Sequence, residues 1–215
     1  MNIQLKQVVP IPLKDKLLRQ PSGIWNNNVE FTTPDWVKIK APSGTGKTTF
    51  IHSLYKLRTD YTGSILWDNQ PLKEISAEKL AAYRQQKISV VFQDLRLFAN
   101  LTAFENIELN RVLQEPYCSR ESIDAMAKQL GVDHILHQNA SICSYGEQQR
   151  IAIIRALVQP FEWLIMDEPF SHLDEANTLK AAALIAMACK ERKAGLIITD
   201  LHDDQYFEYT RKLDL

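Results

Sequence analysis

The sequence predicts an α/β fold, a mainly parallel sheet with helices packed on it and a helical insertion set into it. Three observations predict it. Several segments read as strand, then loop, then helix; the strand-like runs stop at polar or acidic residues; and the middle of the chain has helical spacing without a strong strand signal.

The elements follow in order. Val37 to Lys40 reads as a strand leading into a glycine-bearing stretch at 41 to 48, and Thr49 to Lys56 continues as a helix. Ser89 to Phe92 is a β-branched run that stops at Gln93 and Asp94. Between Leu95 and Cys143, Thr102 to Leu113 and Glu121 to Leu130 carry helical spacing. Trp163 to Met166 is an apolar run ending at Asp167, and Gly195 to Thr199 is another ending at Asp200. Glu175 to Lys193, with AAALIAMAC inside it, is a core-packed helix of good helix formers. One domain over 1–215 is expected, its core at about 1–94 and 144–215 and its insertion at about 95–143. Lys38 and Lys40 alternate with Val37 and Ile39, so one face of that strand is expected to be wetter than a parallel strand's usually is.

A chain of 215 residues with 45% hydrophobic and 24% charged content suits a globular domain with a substantial core. The formal charge of −1 gives no overall basic field, so no nucleic-acid partner is expected. Cys118, Cys143 and Cys189 are scattered without metal-ligand spacing, which fits a reducing compartment better than a disulfide framework or a zinc site. The first residues lack the pattern of a secretion signal and no stretch approaches 18 apolar residues, so a cytoplasmic, non-spanning chain is expected.

Ala41-Pro42-Ser43-Gly44-Thr45-Gly46-Lys47-Thr48 lies between a strand and a helix, where backbone N–H groups and a helix N-terminus face an anion. Gly44 and Gly46 allow close approach of phosphate oxygens, Lys47 reaches β- and γ-phosphates, and the Thr48 hydroxyl ligates Mg²⁺. Thr49 completes the candidate ATP-binding stretch. Ala41 stands where the usual pattern begins with glycine, which costs on the order of 1 kcal/mol if that position requires positive φ.

Asp167 and Glu168 end a buried strand, placing one carboxylate to hold the hydration shell of Mg²⁺ and the next to polarise an attacking water; the bland alternative is an acidic cap on a turn. Gln93 is a further candidate for the metal through its amide oxygen, though strand-end glutamines are commonly just solvated. Ser144, followed by Gly146 and Glu147, has the chemistry of a helix N-cap, and the same hydroxyl and N–H groups suit a phosphate.

Taken together and in this order, these segments resemble the ATP-binding cassette (ABC) ATPases, from about Trp36 to Asp174. SVVFQDLRLFANLTAFENIELN and GEQQRIAIIRAL followed by LIMDEPFSHLD are similar to the branch serving lipoprotein release, cell division and macrolide export. The resemblance implies a RecA-like P-loop NTPase core with a helical subdomain and N-terminal strands. It also implies ATP and Mg²⁺ as cofactors, and a homodimer, or a heterodimer with another cassette, in which Ser144 and Gly146 of one subunit meet the nucleotide of the other. An integral membrane permease-type partner would dock beside Gln93 and the insertion, holding the chain at the cytoplasmic face. Ser171-His172-Leu173-Asp174 matches the D-loop, with His172 an exposed loop histidine rather than a metal ligand.

The chain departs from the pattern in several places. Tyr145 replaces the first glycine of the signature and Cys143 its leading leucine; Asp200 follows Thr199 where the switch histidine belongs, leaving His202 as the candidate for that role. Ile11 to Arg19 has no adenine-stacking aromatic, and Trp25 is read as core. A transport ATPase is one reading, with Glu168, Lys47 and His202 as its catalytic set; a catalytically weak, ATP-dependent regulatory or dimerisation module is the other. A nucleotide kinase or DNA-acting ATPase explains neither GEQQR nor the D-loop.

Overall fold

The computed structural model describes every residue except 20, 43, 113 and 114. In chain order the elements are β1 (Asn2–Pro10), α1 (Lys14–Leu17, after a 3-10 turn at Ile11–Leu13), β2 (Asn28–Thr32), β3 (Trp36–Lys40), α2 (Lys47–Leu54), β4 (Tyr61–Trp67), β5 (Gln70–Pro71), α3 (Ala77–Gln86), β6 (Ile88–Val91), α4 (Ala103–Val112), α5 (Arg120–Gln129), α6 (Tyr145–Leu157), β7 (Trp163–Asp167), α7 (Glu175–Arg192), β8 (Gly195–Asp200) and β9 (Arg211–Asp214).

Two sheets result, and the sequence pattern of their strands says why. The order β6-β7-β8-β3-β9 is parallel throughout. Strands covered on both faces read as continuous apolar runs, and every residue of β7 is buried. The order β2-β1-β4-β5 is antiparallel, and β2 alternates exposed and buried residues because only its Val29 and Phe31 face the core. Both β1 and β4 lay outside the strands expected in detail above. The parallel register pairs Asp167 with Thr199 and Lys40 with Asp200, so three strands end level. Carboxyl ends of parallel strands are where such sheets place ligands.

Between β6 and α6 the chain is helical, with α4 and α5 packed on α6. Ile107, Ile123 and Leu130 share one apolar cluster with Ile151 and Ile154, and that cluster continues to Leu164 and Ile198 beneath the sheet. The one strand-type pairing among the described residues of this stretch is an isolated bridge between Thr102 and Asn139. Helix α7 starts at an Asp174 cap and stops at Lys193 in the left-handed region, φ 51°. No described helix is long and apolar enough to cross a membrane.

One expectation is overturned. The Lys38 face of β3 is dry: Lys38 is 0% exposed. Its ammonium is paired with Asp204 and lies 3.4 Å from Asp200, so a lysine in a doubly covered strand is matched by carboxylates from the end of β8 and the segment after it. Lys40, at the strand end, is half-exposed and faces Asp203.

Candidate functional site

The loop from β3 to α2 is wound by its glycines. Gly46 caps α2 at φ 106°, a conformation costly for any residue with a Cβ, and a Cβ there would lie 2.5 Å from the Leu13 side chain. Ala41 is not among the residues at positive φ, so alanine costs nothing there; its N–H donates to the Asp200 carbonyl at 2.9 Å. Thr45 closes the loop on itself, its hydroxyl donating to the Pro42 carbonyl at 2.8 Å. Ser43 lies outside the described residues.

Lys47 is buried, and its ammonium donates to the Ala41 carbonyl at 2.9 Å and lies 3.1 Å from a Glu168 carboxylate oxygen. Glu168 itself sits at φ 48°, an uncommon conformation for a non-glycine residue, with its N–H donating to the Thr199 carbonyl at 2.9 Å. The Gln93 amide donates to the other Glu168 oxygen at 3.4 Å. Thus residues from the ends of β3, β6 and β7 converge.

Asp167 is buried beside Glu168 and accepts the Thr199 hydroxyl at 2.6 Å. Burial pushes its carboxyl above the usual range, against the pull of that bond. A hollow of about 340 Å³ is lined by Thr48, Gln93 and Asp167 together with His52, Phe92, Asp94 and Tyr145. Beside it, a cleft of about 440 Å³ is lined by Gly44, Gly46, Lys47, Thr48, Thr49, Gln93, Glu168, Leu13 and Leu201.

The signature segment reaches the neighbouring hollow through Tyr145. Ser144 caps α6 with a complete capping box: its hydroxyl and N–H donate to the Glu147 carboxylate at 2.8 and 2.7 Å, while the Glu147 N–H returns to the hydroxyl at 3.3 Å. These bonds, the hydroxyl's foremost, hold the Glu147 carboxyl below the usual range. Gly146 is required by close approach, since a Cβ would lie 2.9 Å from the His172 carbonyl oxygen. Neither Ser144, Gly146 nor Glu147 lines the cleft of Lys47.

His202 is exposed, and Leu201 takes the cleft-lining place in its loop. Trp25 is core, 1% exposed and edge-on to Phe50 at 5.8 Å. Two contributors escaped the sequence reading. Lys16 donates to the Gly44 carbonyl at 2.9 Å, and Gln149 donates to the Glu168 carbonyl at 3.1 Å. Lys16 sits in the segment noted only for lacking an aromatic, while Gln149 is one of two adjacent glutamines that nothing in the sequence tells apart.

The family model described as ABC transporter matches residues 26–171. The glucose import ATP-binding protein GlcV of Saccharolobus solfataricus is 36% identical over 201 residues, 93% of this chain and 54% of that protein, so the chain spans about half of that relative's length. The lipoprotein-releasing system ATP-binding protein LolD 1 of Chlorobium luteolum is 33% identical over 181 residues, 80% of this chain and 76% of that one. Among solved structures, the dimeric MJ0796 cassette, from a bacterial ABC transporter, superposes with a TM-score of 0.78 at 25% identity, covering 93% of this chain and 88% of its own.

Proposed function

The chain belongs to the ABC transporter family, and we propose that it is an ATP-binding and ATP-hydrolysing subunit whose nucleotide-driven dimerisation does work on a membrane-embedded permease partner. The observation that carries the reading is the meeting of Lys47, Glu168 and Gln93 at the mouth of the phosphate loop.

In this reading the N–H groups of the loop and the start of α2 receive the phosphates, and Lys47 turns from Glu168 toward the β- and γ-phosphates. Glu168, freed of the ammonium, orients and polarises the attacking water. The donor set suits Mg²⁺: Thr48, Gln93 and Asp167 offer oxygens around one hollow, and the described residues hold no cluster of three His, Cys, Asp or Glu side chains that would bind a metal by themselves. Held by Thr48, Gln93 and Asp167, such an ion would supply positive charge against the phosphates.

Ser144, Gly146 and Glu147 serve the nucleotide of the second cassette, in keeping with their absence from the lining of this chain's own cleft. His202 acts on the γ-phosphate after the loop that follows Asp200 shifts Leu201 aside. The subunit works at the cytoplasmic face through its partner. The test is nucleotide binding and phosphate release with MgATP: Lys47→Ala should lose ATP affinity by an order of magnitude or more, and unchanged affinity would refute the site.

A further inference from the structure

We infer that Tyr145 is a positioning residue that ties the start of α6 to the Gln93 loop, so that the two halves of the site move as one; the inference rests on the ATPase reading above. Its hydroxyl donates to the Gln93 carbonyl oxygen at 3.1 Å, and its ring meets the His172 ring edge-on with centroids 4.2 Å apart.

These two links close a circuit. The His172 N–H donates to the Gln149 side-chain oxygen at 3.1 Å, and the Gln149 amide donates to the Glu168 carbonyl at 3.1 Å. Glu168 in turn accepts the Gln93 amide at 3.4 Å. Contacts therefore run from Gln93 through Tyr145, His172, Gln149 and Glu168 back to Gln93. Gly146 tightens the same place, because its backbone lies directly against the His172 carbonyl.

Tyr145 is 44% exposed, so core packing does not account for its orientation; the bond to Gln93 and the contact with His172 do. A glycine here makes neither link and leaves the circuit open. With Tyr145 in place, any displacement of Ser144 and Gly146 is passed to the main chain of Gln93, and from its side chain to Glu168. The turn that faces a second copy is thus coupled to the carboxylate that acts in this copy's own cleft. Such coupling sets cooperativity between two sites rather than affinity at one.

Tyr145→Phe removes the hydroxyl and keeps the ring. In the purified chain with MgATP, kcat should fall about fivefold, the loss of one hydrogen bond, with KM within twofold. The Hill coefficient for ATP should fall toward 1, and amide exchange at residues 93–96 should quicken, with the melting temperature unchanged. His172→Ala opens the circuit at its next link and should lower the Hill coefficient alike, the double variant adding little. A Tyr145→Phe protein with the wild-type Hill coefficient or wild-type exchange at 93–96 overturns the inference alone, whatever happens to kcat. A wild type that neither binds nor hydrolyses ATP overturns the ATPase reading and this inference with it.

Discussion

Lys38 and Asp204 form an ion pair within the fold, the lysine fully buried in β3 and the aspartate in the segment after β8. The Asp204 carboxylate also accepts the Tyr209 hydroxyl at 2.9 and 3.0 Å, and burial first, then Asp204, pushes the Tyr209 phenol up. Together they fasten the segment 200–209, which includes His202, to the strand that leads into the phosphate loop.

Removing one partner of such a pair strands the other charge. Lys38→Met should cost about 3–5 kcal/mol of folding stability, read by urea denaturation. Lys38→Met with Asp204→Asn should recover a large part of it, and a double variant no more stable than the single one would show that the pair is not what holds this segment.

Glu168 and Lys47 hold each other at 3.1 Å where hydrolysis is proposed. Glu168→Gln keeps the shape and removes the charge that polarises water. Phosphate release should fall ~10²-fold or more while ATP still binds. Equal turnover in wild type and variant would place the catalytic base elsewhere.

Leu13 and Leu201 are the apolar side chains of the cleft at the phosphate loop, and no aromatic is among its described lining residues. Base stacking on an aromatic contributes ~1–3 kcal/mol, and its loss leaves the phosphates to dominate binding. KM for GTP should lie within about threefold of that for ATP, and Leu13→Tyr should tighten ATP by about an order of magnitude. A tenfold preference for ATP in the wild type would require a base contact that this cleft does not offer.

Ser144 and Glu147 stabilise α6 through the capping box. Ser144→Ala should cost about 1 kcal/mol at neutral pH. Because the folded protein holds the Glu147 carboxyl below its ordinary range, the stability it contributes is present above the unfolded pKa and is lost as pH falls through the lower folded value. Glu147→Gln should therefore flatten the acid limb of the melting temperature between about pH 5 and 3, where the unfolded glutamate titrates. An acid limb identical to that of the wild type would remove the capping carboxylate from the account.

Much of this was legible beforehand. The runs at Trp163 to Met166 and Gly195 to Thr199 announce buried parallel strands because both faces are apolar, and Gly46 before Lys47 marks a turn into a helix. The N-terminal antiparallel strands β1 and β4 were harder to read in detail: β1 pairs with residues some 60 positions away, so its register belongs to the partner strand as much as to itself. Lys38 misled for the same reason, since a lysine in a strand reads as wet until a carboxylate 166 residues on is seen beside it.

The sequence by itself determined the parallel core strands β3, β6, β7 and β8, the phosphate-loop chemistry and the family likeness, because periodicity, glycine placement and motif spacing are local properties of a chain. Only the tertiary structure decided that Lys38 is dry, that Leu201 rather than His202 lines the cleft, and that Tyr145 reaches Gln93. Those outcomes turn on which distant side chain occupies a few ångströms of shared space, and the free energy of a buried charge or hydroxyl is set by that neighbour, not by its position along the backbone.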